Sequence, residues 1–109
     1  LNSPSFLQLF QSQIFFIYNS LIVMDINQLI EIVKKKICEN LNIDQIEIQD
    51  KTYLHTKHLT HEKNKFHIRV LITSKHLKKE KKLNTTKKIY KILDHEIKEY
   101  IHSIQLKIN

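Results

Sequence analysis

Not one of the 109 residues is a glycine, and proline occurs once, at Pro4. Glycine is the residue that enters positive-φ backbone without steric cost. Its absence excludes phosphate-cradling loops, nucleophile elbows and dinucleotide fingerprints, each of which needs such backbone. Most nucleotide-dependent enzymes are removed in that one step. The length points to one domain with a modest core, too small to enclose a large substrate cavity as well. Apolar residues make up 41% of the chain, enough to build that core.

The net charge is +7 with the histidines neutral, and Arg69 is the only arginine among 18 cationic residues. Phosphate and carboxylate recognition favours arginine, with its planar fork of donors. A lysine surface therefore reads first as a solvated face. Second, its positive field favours acidic partners or nucleic acid. Cys38 is the only cysteine, so no disulfide can close within the chain and a reducing compartment is expected. Its place in a helical pattern beside apolar positions suggests a buried or half-buried small residue.

Residues 1–23 carry no charge and crowd Phe6, Phe10, Phe15, Phe16 and Tyr18 together. The apolar run from Ile14 to Tyr18 is interrupted by Asn19 and Ser20 before Leu21, which is short and impure for a transmembrane helix. The segment also lacks the cationic start of a secretory signal and the arginines of an organellar transit peptide. These features mark 1–23 as an N-terminal extension and 24–109 as the domain, with no membrane insertion expected.

From Met24 the periodicity is clear. Ile26, Leu29, Ile30, Val33, Ile37 and Leu41 recur at three- and four-residue spacing, which predicts one face of a helix of about four turns. Asp25 suits its positive end, and Lys34, Lys35 and Lys36 lie toward its later half. The alternation from Ile46 to Asp50 predicts a strand. Residues 52–65, polar and rich in histidine and lysine, predict a long loop. A second strand is expected from His67 to Ser74, with Ile68, Val70 and Ile72 on one face and antiparallel to the first. The basic segment from Lys75 to Leu83 reads as irregular. Asn84, Thr85 and Thr86 offer N-cap oxygens to a second helix whose stripe runs Ile89, Ile92, Leu93, Ile97, Tyr100 and Ile101. Ile104, Leu106 and Ile108 alternate in a last strand. The expected fold is α+β in the order α-β-β-α-β, a three-stranded mixed sheet covered on one face by two helices.

In order and spacing these segments resemble the BolA-like family, over about residues 26–108. Asp50-Lys51-Thr52 stands at the family's acidic "DES" turn, and Tyr53-Leu54-His55 follows it. The stretch from His67 to Ser74 fits the family's "HF-x-V" strand ending in serine. Ile101-His102-Ser103-Ile104 falls on its "IHAL" signature. Departures are also present. The "RHR" site reads Thr85-Thr86-Lys87, the glycine usual before that helix is Lys79, and the loop from His55 to His67 is longer and lacks its usual proline and glycine.

The resemblance implies a KH type II-like fold. It also implies a heterodimer with a monothiol glutaredoxin, in which a [2Fe–2S] cluster is shared. Glutaredoxin and glutathione would supply thiolates, and this chain would supply His102 and a loop histidine, by position His55. His58 and His61 are its substitutes. No cofactor is expected in the isolated protein. Neutral imidazole is a good iron ligand, and exchanging thiolate for histidine raises the cluster's potential. His67, at the strand start, is expected to be structural. A histidine rather than a cysteine in the loop resembles the organellar members, so mitochondrion is the expected compartment, with cytoplasm the alternative.

Other function classes remain. Lys78, Lys79, Lys81, Lys82, Lys87, Lys88 and Lys91 form a basic run interrupted by Glu80, as expected of a KH-like nucleic-acid-binding regulator with salt-dependent affinity. A KH domain, however, clamps backbone with a GXXG loop that this chain lacks. Glu47, Asp50 and the histidines assemble into no acid–base pair of fixed geometry, so catalysis is not expected.

Overall fold

The computed structural model describes residues 24–52 and 65–109, together with Gln11 alone. Helix α1 spans Ile26–Asn40 and β1 Gln45–Asp50. Strand β2 is Phe66–Thr73, followed by a short helix α2, Lys75–Lys78. Two further helices, α3 (Lys82–Ile92) and α4 (Asp94–Glu99), lead into β3, Ile101–Ile108. The sheet order is β1-β2-β3, with β1 antiparallel and β3 parallel to β2. The expected mixed three-stranded α+β fold is what forms.

The periodicity of each element explains its place. Leu29, Val33 and Ile37 are fully buried along one face of α1. Ile48, Ile68, Val70 and Ile72 line the sheet face beneath the helices, and Leu77, Ile89, Leu93 and Ile101 complete the core. The opposite face carries Glu47 and Gln49 on β1, Arg69 on β2 and Gln105 on β3, as strand alternation requires. Arg69 Nε donates to Gln105 Oε1 at 3.1 Å across that face.

Side-chain oxygens terminate elements where glycine is unavailable. Asp25 caps α1 by accepting from the amides of Asn27 and Gln28, and Gln28 Oε1 accepts from the Asp25 amide in return. Helix α1 ends at Leu41 in extended backbone, φ −130°, so its termination requires no left-handed residue. Ser74 Oγ accepts from the Leu77 amide and donates to the Asn42 carbonyl, and Asp44 Oδ2 accepts from the Lys75 amide. These bonds tie the link after α1 to the start of α2.

Several details differ from the sequence expectation. The basic stretch from Lys75 is not irregular throughout, because Ser74 nucleates a helical turn there. Helix α3 starts at Lys82, ahead of the expected caps at Asn84, Thr85 and Thr86. Thr85 is 0% exposed and faces the core, where it cannot cap. The second stripe does not belong to one helix. The chain turns at Leu93 (φ −98°, ψ 18°), and past that turn Glu96 is buried while Ile97 is only half-buried. Ile101 is the first residue of β3. Cys38 is exposed, because the α1 face behind Ile37 turns away from the sheet.

Glu96, 3% exposed, receives both of its hydrogen bonds from Lys36 Nζ, each 2.7 Å. Lys36 is partly exposed, so the pair lies at the edge of the core and joins α1 to α4. Lys36→Met should lower unfolding free energy by about 1–3 kcal/mol, because Glu96 keeps its burial and loses its partner. Thr85→Val should be neutral or stabilising, since the Thr85 hydroxyl is buried without a hydrogen-bond partner. Urea denaturation of the two variants beside wild type checks both expectations.

Candidate metal-ligand site

The sequence feature that shapes the site is a change of phase. Ile101 and Ile104 both belong to the core face, yet they are three residues apart, and strand alternation puts such residues on opposite faces. One extra residue must be absorbed between them. The pairing shows where: Phe66 lies opposite Ile101, but His67 lies opposite Ser103 and Ile68 opposite Ile104. His102 has no partner of its own in β2. It is the extra residue of a β-bulge, the device that re-aims a side chain out of a strand's regular alternation.

The surroundings fix that bulge tightly. Ile101 is buried, and the Phe66 amide donates to the Tyr100 carbonyl at 2.8 Å just before it. Tyr100 in turn donates its amide to the Glu96 carbonyl at 2.8 Å, so the Lys36–Glu96 pair lies one step behind the strand start. On the far side Ile104 and Leu106 pack against the core. His102 is exposed between these anchors. Its imidazole is accessible on a backbone that is held.

Beside it lies His67. His67 is 4% exposed, and its ring sits 4.9 Å from the His102 ring, centroid to centroid, with the planes 58° apart. Nδ1 of His67 and Oγ of Ser103 share a hydrogen bond of 2.6 Å. Ser103 stands where the family pattern has alanine, so this bond is a property of the present chain. His67 thus lies against one side of the exposed His102 ring. The structural role expected for His67 is compatible with its burial. That it touches His102 was not foreseen, because the two are 35 positions apart and only the β2–β3 register brings them together.

The loop histidines His55, His58 and His61 lie outside the described residues, and so does the choice among them. Both ends of that loop are described. Asp50 Oδ1 accepts from the amide and the hydroxyl of Thr52, closing a turn at Asp50-Lys51-Thr52. Thr52 Oγ1 accepts from the His67 amide at 3.2 Å, and the Lys51 amide donates to the His67 carbonyl at 2.7 Å. The loop leaves the sheet beside His67 and rejoins it at Phe66. It is rooted at the same end of the sheet as His102. Among the described residues, no group of three or more histidine, cysteine or acidic side chains could hold a metal ion.

The lysines of the basic run are also placed. Lys78, Lys79, Lys81, Lys82, Lys87, Lys88 and Lys91 are all exposed, on α2, on α3 and between them. They lie on the helical layer, whereas His102 lies at the start of β3.

Fold and site together define a small α+β module with KH-like element order that presents one exposed, buttressed imidazole at a strand start. The chain belongs to the BolA-like family, whose sequence model, described as BolA-like protein, matches residues 37–109. The match begins inside α1, later than the motif order implied. The BolA domain of SufE1 from Arabidopsis thaliana shares the fold with a TM-score of 0.61 and 20% identity, over 73% of this chain and 88% of that one. BolA1 from the same plant gives 0.59 and 19%, over 73% and 88%. A bol-like protein from Babesia bovis gives 0.56 and 14%, over 72% and 80%. At these identities the likeness concerns the fold. No curated protein matches the chain.

Ser103→Ala should lower unfolding free energy by about 0.5–1.5 kcal/mol, since the buried His67 loses a hydrogen bond. It should also shift the His67 ring nitrogen resonances. His102→Ala should cost less than about 0.5 kcal/mol, because the side chain is exposed. Chemical denaturation with ¹⁵N NMR of the imidazoles measures both, and equal losses would contradict the different burial of the two rings.

Proposed function

We propose that this chain is an adaptor in iron–sulfur cluster assembly or trafficking, acting as a heterodimer with a monothiol glutaredoxin. The observation that carries this reading is His102: an accessible imidazole on the bulge that opens β3, backed by the buried His67. The donor chemistry fits. A histidine nitrogen serves iron well, and a ligand whose ring is supported by packing needs little reorganisation to bind. The [2Fe–2S] cluster, as cargo, would take thiolates from glutaredoxin and glutathione and imidazole nitrogen from this chain. When bound it would supply one-electron chemistry and a charge lowered by the neutral ligand.

The chain's own residues have definable tasks in this reading. His102 binds. His67 and Ser103 orient its ring. A loop histidine, by position His55, completes the pair from this side, with His58 and His61 as substitutes. Thr52, which accepts from the His67 amide, is three residues before His55, a chain span of at most about 11 Å. A loop ligand so tethered can join a held one when the partner arrives, which suits a site completed only in the complex. The role is non-catalytic, and the proposed compartment is the mitochondrion, with cytoplasm the alternative.

The test mixes the full chain with a glutathione-loaded monothiol glutaredoxin, iron and sulfide, and follows the visible absorption and circular dichroism. Addition of the wild-type chain should change the spectrum of the cluster-loaded glutaredoxin, and His102→Ala should abolish that change. An unchanged spectrum with wild-type protein overturns the proposal. Single His55→Ala, His58→Ala and His61→Ala variants then assign the loop ligand, the one among them that loses the change.

A further inference from the structure

Helix α3 has an outward side that the core does not use. Thr85 and Ile89 are buried and define its inner side. Leu83, Lys87 and Tyr90, at i, i+4 and i+7, share the opposite side. Leu83 is 62% exposed and Tyr90 44%, the large hydrophobic residues most open to solvent among the described ones. Lys87 and Lys91 flank them on the same side and Lys82 stands at the exposed start of the helix, and among the described residues none of these three ammonium groups has an ion pair or a side-chain hydrogen bond. The nearby carboxylates are engaged: Glu80 with Lys88 at 3.2 Å and His76 at 3.5 Å, and Asp94 with Lys98 at 2.9 Å. A single exposed leucine needs no explanation. Two apolar side chains on one ridge, flanked by unpaired cations, form a composite surface.

We propose that this ridge docks on an anionic lipid surface, with Leu83 and Tyr90 entering the headgroup region, Lys87 and Lys91 beside them facing the lipid charges, and Lys82, at the exposed start of the helix, adding to the positive field. Three observations select this occupant. First, the cations are all lysine, and the lone Arg69 lies on the sheet, bonded to Gln105. Lysine acts as a point charge on a diffuse anionic surface, whereas base and phosphate readout draws on the arginine fork. Second, an exposed leucine gains nothing from a phosphate backbone but gains from the boundary between headgroups and acyl chains, where tyrosine also settles. Third, the buried centres of protein–protein interfaces are depleted in lysine, and here lysine alternates with the apolar residues. The attachment is peripheral, and no helix among the described residues is long and apolar enough to cross a membrane. This inference is independent of the cluster site, since the ridge and His102 lie on different elements.

The full chain is sedimented with vesicles of phosphatidylcholine containing about 30% phosphatidylserine, and with vesicles of phosphatidylcholine alone. Binding is expected only to the anionic vesicles, with release as salt rises from about 0.1 M to about 0.5 M. The triple variant Lys82→Glu, Lys87→Glu, Lys91→Glu should lose at least about 100-fold in partition, at roughly fivefold per lysine. Leu83→Ser with Tyr90→Ser should weaken binding while leaving the circular dichroism and thermal unfolding unchanged. Three outcomes overturn the proposal. One is equal or absent binding to both vesicles. Another is retention of anionic-vesicle binding by the triple variant, which would assign it to lysines away from the ridge. The last is salt-sensitive binding of a DNA or RNA oligonucleotide that the triple variant loses and the serine pair keeps, which would make the ridge a nucleic-acid surface.

Discussion

The structure turns on the parallel register between β2 and β3, and on the single residue that β3 has in excess. Pairing Phe66 with Ile101 and His67 with Ser103 lets Ile101 and Ile104 both reach the core. Hydrophobic burial drives this. At about 25 cal/mol per Å² of apolar surface, an isoleucine turned to solvent costs a few kcal/mol, more than one displaced ladder bond. His102 is the residue left over. Its exposure follows from the burial of its neighbours.

The held backbone on either side depends on contacts far away in sequence. Lys36 on α1 grips Glu96 on α4, and the Glu96 carbonyl accepts from Tyr100, whose own carbonyl accepts from Phe66. This chain of bonds runs from the first helix to the start of the last strand. A buried ion pair of this kind is weak evidence for added stability, because desolvation offsets much of its attraction. Its place here is positional: it joins α1 to α4, the helix that leads into β3. On the other side, Ser103 and His67 share a hydrogen bond, and the ring of His67 lies against that of His102.

The lack of glycine shaped how the chain turns. Asp25, Asp44, Asp50 and Ser74 each direct a side-chain oxygen to a backbone amide where the chain enters or leaves an element. The helices end in extended or right-handed backbone. Such turns are rigid through specific bonds, and they leave no mobile glycine hinge in the described fold. They also place the root of the loop carrying His55 through one of these bonds, at Thr52, against the strand that carries His67.

Sequence by itself determined the first helix and the order of the three strands, the buried faces of α1 and β2, and the family, because periods of 3.6 and 2 and the order of short motifs are local properties of the chain. It singled out His102 from the motif at Ile101 to Ile104. Local patterns did not reveal the turn at Leu93, which brings Glu96 rather than Ile97 inward, nor the start of α3 ahead of Thr85. Cys38 fell in a helical stripe and still emerged exposed. The ring contact of His67 with His102 was beyond any local signal, though the odd spacing between Ile101 and Ile104 held a trace of the bulge. Tertiary structure decided these points because each depends on which distant surface an element meets. Burial of an apolar face fixes the register between elements, and register, not sequence distance, decides which imidazoles touch.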